Sequence, residues 1–199
     1  MTTIIDTRLS NLGSIKHKLG KIGVEAKVAD NAEKVFEAEK LLLPGVGSFR
    51  AGMKNLNEMG LADAIKEKVM GGTPILGICL GMQLLTNHSM EGDADGLGFI
   101  DAETVKLDVG LRVPHVGWNN VKPVKESILF KGVPGDKLFY FTHSYHVVCR
   151  DEGDVAAVTD YGGDFTSAVE KDNVYGVQFH PEKSHFEGMG VIRNFVREI

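Results

Sequence analysis

The chain has 199 residues, 43% of them hydrophobic and 25% charged, with a formal net charge of −5. That length fills one well-packed core and is short for two, and the acidic balance with no basic stripe argues against nucleic-acid or anionic-membrane binding. With only Cys79 and Cys149 there is no disulfide framework and no paired-cysteine zinc motif, which points to a reducing compartment.

In chain order, Thr3 to Asp6 reads as a strand, Asn11 to Leu19 as a helix, Glu25 to Ala29 and Lys40 to Leu43 as strands, and Leu61 to Met70 as a helix. Asn11 and Asn31 are placed as helix caps, because their short side chains can accept a free N–H of the first turn. Pro74 to Ile78 is a buried strand that passes directly into a helix at Leu80 to Leu85. From Ala102 onward the pattern is strand-rich: Glu103 to Leu107, Val113 to Val121, Lys137 to Thr142, Tyr145 to Cys149, Val155 to Thr159, Phe165 to Glu170 and Val174 to Phe179. A last helix, Gly188 to Arg197, turns Val191, Ile192, Phe195 and Val196 inward. Apolar runs alternating with helices predict an α/β fold, an open and mostly parallel central sheet with helices on both faces, plus an added mixed or antiparallel region. No linker, repeat or low-complexity tract interrupts it, so residues 1–199 are expected to form a single domain.

Between Val69 and Met90 no Asp, Glu, Lys or Arg occurs, a length that could span a bilayer. Gly71, Gly72, Pro74, Gly77 and Gly81 break it into loop, strand, elbow and helix, so it reads as core. The N-terminus lacks the charged start and apolar centre of a secretory signal, and a cytoplasmic location is expected. His143 and His146 are three apart without acidic or cysteine neighbours to complete a ligand set, so neither a metal nor a cofactor is expected.

Two stretches carry chemistry. In Gly77-Ile78-Cys79-Leu80-Gly81 the cysteine stands where a strand turns sharply into a helix, with a glycine two residues to each side. The glycines relieve crowding, and the first free N–H groups of the helix favour thiolate. Taken alone, such a cysteine is as readily a small buried hydrophobe. The second stretch, His180-Pro181-Glu182, changes that reading. Pro181 biases His180 toward extended geometry, in which residues i and i+2 point to one side, so His180 and Glu182 reach a common cleft. Nucleophile, base and orienter are then Cys79, His180 and Glu182. A third element, Pro44-Gly45-Val46-Gly47, ends a buried strand in a glycine-rich turn on the same carboxyl edge of the sheet. With the Leu80 N–H it can form an oxyanion hole, although by itself it is an ordinary strand-to-helix connection.

These residues resemble the class I, triad-type glutamine amidotransferases. The match runs through Pro44-Gly45-Val46-Gly47, Gly77 to Gln83 and His180-Pro181-Glu182-Lys183. Within that family, Pro114-His115-Val116-Gly117-Trp118-Asn119, Thr142 to Val147 and Phe195 after Asn194 are most similar to the glutaminase subunits of imidazole glycerol phosphate synthases. The resemblance implies glutamine as substrate and ammonia as the delivered product. It makes Cys79, His180 and Glu182 catalytic and gives the oxyanion hole to Gly47 and Leu80. Gly81, Gln83, Ser144 and Tyr145 become substrate-binding, and Trp118, Asn119 and Lys183 lie near a subunit interface. The implied partner is a (β/α)₈-barrel synthase in a heterodimer. Because loss of one oxyanion donor costs roughly 3 to 4 kcal/mol, a modest displacement of the Gly45 to Gly47 turn would switch the enzyme off, and a partner-triggered glutaminase is expected.

Two stretches depart from the histidine-pathway pattern. Asp6-Thr7-Arg8-Leu9-Ser10-Asn11-Leu12 has lost two loop glycines, and Ser184-His185-Phe186-Glu187-Gly188-Met189-Gly190 is similar to paralogues that supply ammonia for sugar amidation in surface-polysaccharide pathways. Sugar amidation therefore stands beside histidine biosynthesis at this point. A non-glutaminase cysteine hydrolase or redox sensor, or a noncatalytic binding module, is the remoter alternative.

Overall fold

The computed structural model describes residues 1–135 and 137–199. Among these residues the strands and α-helices follow in this order. They are β1 (Thr2–Ile5), α1 (Leu12–Lys21), β2 (Ala26–Ala29), α2 (Ala32–Phe36), β3 (Lys40–Gly45), α3 (Phe49–Glu58), α4 (Leu61–Met70), β4 (Ile75–Cys79), α5 (Leu80–Leu84), β5 (Thr86–Ser89), β6 (Ala94–Asp95) and β7 (Ile100–Lys106), then β8 (His115–Asn120), β9 (Lys122–Pro123), β10 (Leu138–His143), β11 (Tyr145–Cys149), β12 (Val155–Asp160), β13 (Asp164–Lys171), β14 (Val174–Val177) and α6 (His185–Glu198).

The main sheet runs β2-β1-β3-β4-β14-β13-β11-β7-β5-β6, with β12 and β9 continuing from β13. Its first five strands are parallel, and from β14 to β7 the neighbours are antiparallel. β8 and β10 form a separate antiparallel ribbon. The sheet is thus the parallel block with an antiparallel extension that the sequence predicts. Both faces of the parallel block are apolar because alternate residues of each strand serve opposite layers. Ile4, Leu42, Leu76 and Ile78 pack beneath α1 and α6, while Ile5, Leu41, Leu43 and Ile75 pack beneath α3 and α4. Each such fully buried side chain contributes roughly 1.5–3 kcal/mol relative to exposure.

The caps act as expected: Asn11 Oδ1 accepts the Ser14 N–H at 3.1 Å and Asn31 Oδ1 the Lys34 N–H at 3.1 Å. Several boundaries differ. β14 stops at Val177, although the Gln178 N–H still donates to the Ser167 carbonyl of β13 at 2.9 Å, β8 begins only after the cis Val113–Pro114 bond, and α6 starts a turn early at His185. α3 was not predicted, since Gly52, Asn55 and Asn57 are weak helix formers. It forms because Ser48 caps it and because Gly52 lets Leu80 and Leu84 approach its backbone. Among the described residues no helix is long and apolar enough to cross a membrane.

Register puts the chemistry together. Gly45 pairs with Cys79 at the ends of β3 and β4, and Val177 pairs with Ile78. The glycine-rich turn, the cysteine and the segment from Gln178 to Glu182 therefore leave three adjacent strands at one carboxyl edge, where open α/β sheets collect ligands.

Candidate active site

Cys79 is the last residue of β4 and the cap of α5, with φ 55° and ψ −111°, a backbone that an L-residue adopts only under constraint. The flanking glycines supply the constraint. A Cβ on Gly81 would lie 1.6 Å from the Leu43 carbonyl oxygen, and one on Gly77 would lie 2.6 Å from the Gly81 backbone. Only hydrogens at both positions let α5 start directly over the sheet and lift the sulfur above it.

Three groups surround the Cys79 sulfur. The Thr142 carbonyl is at 4.0 Å and the Gln178 carboxamide nitrogen at 3.8 Å, and the third is the His180 imidazole. His180 Nδ1 bonds Glu182 Oε1 at 2.9 Å, with both side chains more than 90% buried. The contact arises differently from the sequence reasoning. His180 is extended, but Pro181 to Lys183 form one turn of 3₁₀ helix, so Glu182 curls back under the ring instead of lying beside it on a strand. Burial favours the neutral ring, yet Cys79 and Glu182 outweigh it and lift the His180 pKa to about 9. His180 Nε2 is buried without a directed hydrogen bond. Such contacts in a substrate-free site commonly tighten when substrate binds.

In front of the sulfur lies a cleft of about 260 Å³, lined by Val46, Gly47, Leu80, Gln83, Ser144 and Tyr145 among others. Behind the turn, a second space of about 150 Å³ is bounded by Ser10, Asn11, Val46, His180, Glu182 and Lys183. Gln83 Nε2 uses both hydrogens, one to the Tyr145 carbonyl at 2.9 Å and one to Gln178 Oε1 at 3.1 Å. Its Oε1 is therefore the atom it can offer to a ligand. Gly81 does not line the cleft: it is the packing point of the elbow on β3.

Glu91 was not anticipated. It lines the cleft and accepts the Phe49 N–H at 2.7 Å, so a carboxylate from the loop after β5 caps α3 and faces the ligand space. Nothing local in the sequence marks it, because only the fold brings that loop to the cleft. The Val46 N–H donates to the Leu9 carbonyl at 2.7 Å. The loop carrying Leu9 is fastened by Thr7 Oγ1 to the Pro44 carbonyl and by Asn55 Nδ2 to the Thr7 carbonyl. Arg8 takes φ 57° there, the left-handed backbone that a glycine adopts freely.

Of the three residues expected at an interface, Trp118 is 43% exposed and stacks on His185 at 4.7 Å, and Lys183 is exposed above the Tyr140 ring. Asn119 does not join them. Neighbouring strand residues face opposite sides, and its side chain turns inward to the Asp160 carbonyl and His115. Behind it His115 and His143 share a 3.1 Å hydrogen bond, and burial lowers their pKa values to about 4 and about 3. Among the described residues no His, Cys, Asp and Glu cluster could hold a metal. Cys149 is inert by contrast, its thiol pushed up to about 12 first by burial and then by Asp154.

The fold has close structural counterparts. A structure of PurLQS from Thermotoga maritima superposes with a TM-score of 0.77 at 19% identity, covering 99% of this chain and 97% of that one. Sequence relatives are nearer. Imidazole glycerol phosphate synthase subunit HisH 2 of Methanococcus maripaludis is 50% identical over 100% of both chains. The protein of the same name in Pseudomonas aeruginosa is 45% identical over 98% of each. The profile described as "Glutamine amidotransferase class-I" matches residues 3–199, and the chain belongs to the class-I glutamine amidotransferase family.

Proposed function

We propose that this chain is the glutaminase subunit of an imidazole glycerol phosphate synthase, supplying ammonia for histidine biosynthesis. Residues 1–199 act as one cytoplasmic domain in a heterodimer with a (β/α)₈-barrel synthase. Support comes from full-length relatives of that name. The observation that carries the chemistry is a cysteine on a strained elbow beside an imidazole that a buried carboxylate holds at 2.9 Å.

Glutamine enters the front cleft with its ammonium end toward the Glu91 carboxylate and the free Gln83 Oε1, while Ser144 and Tyr145 hold the rest of the amino-acid end. The Cys79 thiolate attacks the side-chain carboxamide carbon. Backbone N–H groups of the Gly45 to Gly47 turn and of Leu80 receive the oxyanion. His180 Nε2 gives its proton to the departing ammonia, leaving a glutamyl thioester, then takes a proton from the water that hydrolyses it. Glu182 holds the ring by Nδ1 throughout. Ammonia leaves through the rear space beside Lys183. The Val46 N–H, spent on the Leu9 carbonyl, supports a resting state in which the turn is not set to receive the oxyanion until the partner docks.

The test is glutamate release by the purified chain with and without the barrel partner and its nucleotide acceptor. Glutaminase activity that rises with the partner and vanishes in Cys79→Ala is expected. A Cys79→Ala variant as active as the parent would refute the nucleophile, and equal rates with and without partner would remove the gate. Ammonia transfer to a sugar synthase and not to the nucleotide acceptor would reassign the pathway.

A further inference from the structure

Gln178 is fully buried, and its side-chain nitrogen stands 3.8 Å from the Cys79 sulfur. Its orientation is not free. Gln178 Oε1 accepts one Gln83 N–H, and the other Gln83 N–H goes to the Tyr145 carbonyl. A main-chain carbonyl can only accept, so Gln83 must present its nitrogen on that side, and Gln178 must then present oxygen to Gln83 and nitrogen to the sulfur. Turning the Gln178 amide over would set NH₂ against NH₂ and oxygen against sulfur. The Tyr145 carbonyl is itself held, since His143 Nδ1–H donates to it at 2.9 Å. His143 Nε2 then accepts from His115 Nδ1–H, and His115 Nε2 from Asn119. Every proton along this buried line has one permitted place.

We infer that Gln178 is a further catalytic residue, a carboxamide donor that stabilises the Cys79 thiolate, and that Gln83 is the positioning residue that fixes its direction. This rests on the glutaminase reading above. As a thiol, Cys79 has two acceptors in reach, the Thr142 carbonyl and the His180 imidazole. After its proton passes to His180 Nε2, the sulfur carries the charge and meets two donors, the imidazolium and the Gln178 N–H. His180 serves both forms, whereas the Gln178 N–H is met more strongly by the charged sulfur than by the thiol, so this donor favours the ionised form. A thioester sulfur accepts hydrogen bonds poorly, so the Gln178 bond belongs to the waiting enzyme and is given up on acylation. Gln178 thus sets how much of Cys79 stands ready at neutral pH.

The experiment is the rate at which iodoacetamide alkylates Cys79, followed by mass spectrometry across a pH series in the full chain carrying Cys149→Ser. Gln178→Glu keeps the shape and the bond from Gln83 but turns an acceptor on the sulfur. It is expected to alkylate at least about tenfold more slowly at pH 7, with the deficit closing at high pH where every thiol is ionised. Gln178→Met, which removes the donor to the sulfur together with the acceptor for Gln83, should lose about tenfold, and Gln83→Met, which lets the amide turn over, about threefold. Equal rates for parent and Gln178→Glu at pH 7 would overturn the inference. So would a deficit of the same size at every pH, which reports packing and not ionisation. Parent protein that takes no label at Cys79 would overturn the glutaminase reading and this one together.

Discussion

Gly81→Ala measures how tightly the elbow is built. The new methyl would fall 1.6 Å from the Leu43 carbonyl oxygen and 2.7 Å from its carbon, whereas carbon and oxygen without a covalent bond rest at about 3.3 Å or more. Either α5 or the end of β3 must therefore retreat by roughly 1.7 Å. Neither is free to do so, because Leu43 is paired in register with Gly77 and Gly77 already lies against the Gly81 backbone. Overpacking of this kind costs roughly 1–3 kcal/mol in stability. A displacement of about 1 Å at a reacting group costs on the order of 100-fold in rate, or about 2.7 kcal/mol of barrier. Glutaminase kcat/KM in the assembled complex should fall at least about 100-fold, with a lowered midpoint in urea. Gly20→Ala is the matched control: it lies in α1 with nothing within 4 Å of the added carbon, and should be neutral or stabilising by up to about 1 kcal/mol. Parent-like activity and stability in Gly81→Ala would show that the strand-to-helix contact is not what sets the nucleophile.

Glu182→Gln should lower the His180 pKa from about 9, since it removes one of the two groups that overcome burial of the ring. A raised histidine pKa stabilises the fold fully below about 6.5 and loses that contribution as pH rises through about 9, so parent and variant should differ most in urea unfolding near pH 6 and converge above pH 9. His115 and His143, with pKa values lowered to about 4 and about 3, act in the opposite sense: stability should fall as pH drops below about 6.5, by up to about 1.4 kcal/mol per pH unit for each ring. His115→Phe, which keeps the stack on Tyr161 and Phe141, should flatten that slope, and an unchanged slope would place the acid sensitivity elsewhere. Trp118→Ala should weaken partner binding about 30-fold, as for a central aromatic anchor of about 2 kcal/mol, while alkylation of Cys79 stays at the parent rate; unchanged affinity in a titration would move the interface off the β8–β10 ribbon.

The parts of the site legible in the sequence are those whose physics is local. The Gly77 and Gly81 spacing is a steric statement about one turn, and Leu41-Leu42-Leu43 is apolar throughout because that strand is covered on both faces. The proximity of His180 and Glu182 is equally local, although a 3₁₀ turn and not an extended strand brings them into contact. What could not be read depends on strand order. Gln178 looks like one more residue of β14, and its N–H does continue onto β13, but only the pairing of β14 beside β4 brings its side chain to Cys79. Glu91 is reached only because its loop folds back over the start of α3. Asn119, placed near an interface together with Trp118, turns to the opposite side because the two are consecutive on a strand, a period-two consequence that the motif itself conceals.

The Thr7 to Ser10 loop, which departs from the glycine-containing pattern, bears directly on the proposed gate. Its Leu9 carbonyl holds the Val46 N–H at 2.7 Å, a neutral hydrogen bond with a net value of about 1 kcal/mol. An oxyanion donor in a closed site is worth roughly 3–4 kcal/mol to the transition state. The resting bond is therefore strong enough to keep the turn in place without substrate and weak enough for a docking partner to offset. Rotation of the Val46 peptide changes the backbone angles at its neighbours, and Gly47, already at φ 98°, is the residue that absorbs such a change without a side-chain clash. The exposed Val46 side chain lies on the wall between the front and rear spaces. On the function proposed above, a partner covering the Lys183 side of the rear space would press on the same peptide that would face glutamine in front, so docking and oxyanion binding would act on one segment.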